Sequence, residues 1–80
     1  MEFRMEKFTR IILNPEVMGG KPCIRGLRVT VGMVVGLVAS GYTTKAILAA
    51  YPYLEKEDIA EALAYAAWRV EEVEVPLVTE

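Results

Sequence analysis

Nine consecutive residues, Val31-Gly32-Met33-Val34-Val35-Gly36-Leu37-Val38-Ala39, carry no polar side chain. They read as one helix over residues 31–40, closed by Gly41 in a left-handed cap. Val31, Met33, Val34, Val35, Leu37 and Val38 point in every direction around that helix, and a helix apolar on all sides is a buried one. Gly32, Gly36 and Ser40 recur every four residues and would let another backbone approach closely. A chain of 80 residues has little interior in which to surround a helix. The segment is therefore expected to pair with a second copy, with Val31, Val34, Val35, Leu37 and Val38 as interface residues.

Composition supports this. The length allows one domain, residues 1–80, yet 54% of the residues are hydrophobic, above the roughly 45–50% of ordinary globular chains. The longest apolar run is nine residues, about half of the roughly 20 needed to span a membrane. The charged start, Met1-Glu2-Phe3-Arg4, lacks a following apolar run, so a secretory signal is not expected. The single cysteine, Cys23, forms no intrachain disulfide and fits a reducing, cytoplasmic setting.

Catalysis finds little support. Histidine is absent, which removes Ser-His and Cys-His pairs and the usual neutral-pH base. One cysteine cannot make a thiolate zinc site. Cys23 lies between Pro22 and Ile24 and reads as a packed side chain. Gly19-Gly20-Lys21 lacks the spacing of a phosphate loop, and Pro22 follows where a helix should begin. The carboxylates of residues 55–58 read as a solvated run. No enzyme, cofactor, metal site or small-molecule substrate is expected.

Charge is unevenly placed. Residues 1–28 hold six basic and three acidic side chains, whereas residues 29–80 hold three basic and eight acidic ones. An anionic partner such as DNA would meet the first third, with Lys21, Arg25 and Arg28 as contacts.

The expected fold is mainly α: a β-hairpin arm over residues 8–28, a three-helix core over 29–74, and an extended tail over 75–80, as a dimer. Residues 8–13 are β-branched and aromatic and read as a strand. Asn14-Pro15 turns the chain, Gly19-Gly20 punctuates it again, and Cys23-Ile24-Arg25 is a short return strand ended by Gly26. Thr43 or Thr44 caps a second helix, which Pro52 stops. A third helix spans about residues 55–74, its acidic start suited to the helix dipole. Ile59, Leu63, Ala66, Val70 and Val73 form its expected core stripe. Tyr65 and Trp68 fall among its charged residues and call for a cover, either the chain's own arm or tail or another chain. The second and third helices have the layout of a helix-turn-helix, but the first turn of the third, Glu55-Lys56-Glu57-Asp58, would repel phosphates.

The run from Asn14-Pro15-Glu16-Val17-Met18-Gly19-Gly20-Lys21-Pro22 through Cys23-Ile24-Arg25-Gly26-Leu27-Arg28-Val29-Thr30-Val31 resembles the signature of the domain-of-unknown-function family 433. Gly41-Tyr42-Thr43, Ile47-Leu48, Tyr51-Pro52-Tyr53-Leu54, Asp58-Ile59 and Ala62-Leu63-Ala64-Tyr65-Ala66 continue the resemblance in order, over about residues 8–67. It implies a homeodomain-like helix-turn-helix behind a short β arm, in prokaryotic proteins that look like antitoxins and accompany PIN-like ribonucleases. Lys21, Arg25 and Arg28 would face an anionic partner, and Gly20, Pro22 and Gly26 would form turns. Glu55 stands where the family often has Ser or Thr.

The expected function is thus an antitoxin-like dimer that binds a ribonuclease toxin and its own promoter. Toxin contacts would come from Trp68, Arg69 and the tail, with Val75 and Leu77. A stand-alone DNA-binding regulator and a purely structural dimeric adaptor are the alternatives.

Overall fold

The computed structural model describes the backbone of residues 3–4 and 8–72, and the side chains of residues 8–71. The expected tail, with Val73, Val75 and Leu77, lies outside the described residues. Three short strands, β1 (Phe3–Arg4), β2 (Ile11–Leu13) and β3 (Pro22–Ile24), form an antiparallel sheet in that order. Three helices follow: α1 (Val31–Ala39), α2 (Thr44–Ala50) and α3 (Lys56–Glu72).

The arm is built by its turn residues. The Asn14 side chain accepts the Glu16 N–H at 2.9 Å, bending the chain at Pro15. A left-handed turn through Met18, Gly19 and Gly20 (φ 51°, 67° and 84°) then delivers Pro22 opposite Leu13 and Ile24 opposite Ile11. The sheet is longer by β1 than the expected hairpin, and β2 is shorter at its start. Phe8 sits in a turn closed by Ile11 N–H to the Phe8 carbonyl at 3.1 Å. Arg25 and Gly26 (φ 46° and 76°) make the tight turn after β3, closed by Leu27 N–H to the Ile24 carbonyl at 2.7 Å.

The helices begin and end where their residues dictate. Thr30 Oγ1 accepts the Met33 N–H at 3.0 Å and caps α1. At the other end Tyr42 N–H reaches the Leu37 carbonyl and Gly41 N–H the Val38 carbonyl, both at 3.0 Å, with Gly41 at φ 97°. This is the Schellman arrangement that a glycine at that position permits. Thr43, rather than Thr44, caps α2 by accepting the Ala46 N–H at 3.0 Å. Tyr51 and Pro52 end it.

Phe8, Ile11, Ile24, Val29, Val31, Val34, Ile47, Leu54, Ile59, Ala62 and Tyr65 form the core. Two expectations change here. In α1, Val31 and Val34 lie in the chain's own core, and Met33, Val35, Leu37 and Val38 are partly buried against it. The open side of the helix is Gly32, Gly36, Ala39 and Ser40, whose apolar side chains amount to the one methyl of Ala39. The helix is apolar over most of its circumference because its own domain buries Val31 and Val34 and partly covers Met33, Val35, Leu37 and Val38.

In α3 the buried face is Asp58, Ile59, Ala62 and Tyr65; of the expected stripe Ile59 is buried and Ala66 partly so, whereas Leu63 and Val70 are not part of it. Leu63 (37% exposed) and Val70 (72%) point to solvent. The true face is rotated about 60° from the expected one, at 100° per residue, because Asp58 and Tyr65 are drawn inward by the arm.

Candidate binding surface

Asp58 organises the junction between arm and α3. Its side chain is fully buried. Its Oδ1 accepts from Arg10 at 2.7 Å and from Arg25 Nε at 3.0 Å, and its Oδ2 from the Arg25 terminal nitrogen at 2.9 Å and the Glu55 N–H at 2.8 Å. A carboxylate has about four acceptor positions, so this one is saturated. Arg10 also bonds Glu55 Oε1 at 2.8 Å, its backbone N–H donates to Glu61 at 2.6 Å, and Arg25 reaches the Tyr53 carbonyl at 2.8 Å.

The energetics follow. Burial pushes the Asp58 carboxyl up, but the hydrogen bonds from Arg25, the Glu55 amide and Arg10 outweigh it and hold the group below the ordinary carboxylate value. Arg10 is raised by its bonds to Glu55 and Asp58, and Arg25 by its bond to Asp58. Arg25 adopts a left-handed backbone, which costs a non-glycine residue about 1–2 kcal/mol. The two-pronged grip on Asp58 holds it there.

This corrects the reading of residues 55–58 as a solvated acidic run. Asp58 is interior, and Glu55 and Asp58 are matched by two arginines. It also removes Arg25 from the expected anionic contacts, because its guanidinium is held by Asp58 and Tyr53. Lys21 and Arg28 remain exposed, with no carboxylate partner among the described residues. Cys23 is buried; burial pushes its thiol up, against the charge of Arg28, and its Sγ lies 3.3 Å from the Lys21 carbonyl.

The aromatics find their cover within the chain. Phe8 meets Tyr65 edge-on at 5.4 Å and lies 5.7 Å from Trp68. Tyr65 is consequently buried, and Trp68 is partly so. Neither residue requires a second protein to shield it, and the buried Val31 and Val34 offer no surface to one.

Two surfaces stay open on α3. On the side of the arm, a groove lined by Leu13, Gly20, Pro22, Tyr65, Trp68 and Arg69 carries the exposed Arg69 at its rim. On the opposite side, Ala60, Leu63, Ala64, Ala67 and Val70 are all exposed. In a helix-turn-helix this outer side of the second helix faces DNA. Here its middle offers methyl, isobutyl and isopropyl groups, and its hydrogen-bonding side chains, Lys56, Glu57 and Glu71, lie at its ends. Among the described residues, no helix is long and apolar enough to cross a membrane, and no group of three His, Cys, Asp or Glu is arranged for a metal ion.

The profile of the family described as "Protein of unknown function (DUF433)" matches residues 11–66. A crystal structure of a DUF433 member from Anabaena variabilis ATCC 29413, at 2.00 Å resolution, superposes with a TM-score of 0.73 at 35% identity, covering 79% of this chain and 62% of that one. "Uncharacterized protein y4eO" of Sinorhizobium fredii (strain NBRC 101917 / NGR234) is 42% identical over 53 residues, which are 66% of this chain and 24% of that protein. The chain thus spans only about a quarter of that relative's length.

Proposed function

The chain belongs to the DUF433 family of proteins of unknown function, and from that premise we propose that it is a binding module of antitoxin-like type that pairs with a PIN-like ribonuclease in the cytoplasm. One observation carries this reading: Arg69 is exposed at the rim of an apolar groove between arm and α3. A nuclease that holds metal ions on carboxylates presents an acidic, recessed site. A guanidinium matches carboxylates with two parallel hydrogen bonds, and Leu13, Pro22 and Trp68 beside it supply apolar area. The acidic residues of this chain would be repelled from such a site.

Co-expression with the product of the adjacent gene tests the proposal. The expected result is one co-eluting complex that Arg69→Glu disrupts while the melting temperature of the free chain stays within a few degrees. Separate elution of the two proteins, or a complex indifferent to Arg69→Glu, overturns it.

A second reading, promoter binding, draws on the exposed Lys21 and Arg28 and on the order of α2 and α3. Its footprint is two cations rather than the three expected from sequence, since Arg25 is engaged by Asp58. Shift of promoter DNA at low salt, lost in the Lys21→Ala/Arg28→Ala variant, supports it. Absence of any shift rejects it and leaves a DNA-free regulator.

A further inference from the structure

We draw no further inference here: the strongest candidate, the exposed outer face of α3 formed by Ala60, Leu63, Ala64, Ala67 and Val70 with Glu57 at its edge, is an apolar helix face, and nothing in the structure shows what covers it.

Discussion

The two sides of α3 use opposite chemistry for opposite ends. The inner side carries a charged group, Asp58, in full burial, with its acceptor positions filled by Arg10, Arg25 and the Glu55 amide. The outer side carries alanines, a leucine and a valine in contact with water. The inner side also buries Ile59, Ala62 and Tyr65, and the outer side also exposes Lys56, Glu57 and Glu71, so each side carries one departure from the usual rule of apolar inside and charged outside. A buried carboxylate without spare lone pairs is structural, and it fastens an arm that lacks enough apolar area to dock by itself. Among the described residues the apolar side chains of the outer side are left in contact with water, so they contribute less to the fold than the inner side does.

The largest effect should come from removing the inner charge. Asp58→Ala leaves two guanidinium groups facing a cavity, and breaking a buried pair in this way costs about 3–5 kcal/mol. For a domain with total stability near the low end of about 5–15 kcal/mol, urea unfolding should show a chain largely unfolded at room temperature. Acid should act through the same group. Its folded pKa lies below the unfolded one, so its contribution is complete above the ordinary carboxylate range near pH 4 and is lost as pH falls through the lowered value. A melting temperature as sensitive to acid in Asp58→Asn as in the wild type would break the comparison at its inner side.

Phe8→Ala sharpens the question of what docks the arm, since it removes the ring that packs on Tyr65 and Trp68. The expected loss is about 3 kcal/mol. Near-ultraviolet circular dichroism of Trp68 should weaken with it. A smaller loss than that of Asp58→Ala would rank the ionic contact above the aromatic one.

Much of the fold was legible locally. Gly41, Thr43 and Pro52 act within a turn of where they stand, so their effects on the helix ends could be read from neighbours. The Asn14-Pro15 turn and the pairing of Ile11 with Ile24 are equally local. Asp58 was not legible, because its partners are 33 and 48 residues away and arrive on a hairpin whose path the sequence does not state. Its position three residues after Glu55 was the available signal: a side chain there can fold back on the N–H that opens the helix, as Asp58 does. Leu63 and Val70 were misplaced for the same reason. Size and periodicity favoured them as core, but the arm's arginines turned the helix toward Asp58 and Tyr65.

The smallest effect concerns α1. A Cβ added at Gly36 would meet nothing within 4 Å. Gly36→Ala should therefore stabilise the chain by about 1 kcal/mol, the helix-propensity difference, read as a higher urea midpoint. A lower midpoint would show that α1 needs Gly36 free of a side chain.

Urea unfolding of Leu63→Glu and Asp58→Asn, measured side by side, bears most directly on the division between the two sides of α3. The account predicts a midpoint near that of the wild type for Leu63→Glu and a large loss for Asp58→Asn. Equal losses in the two variants would contradict it.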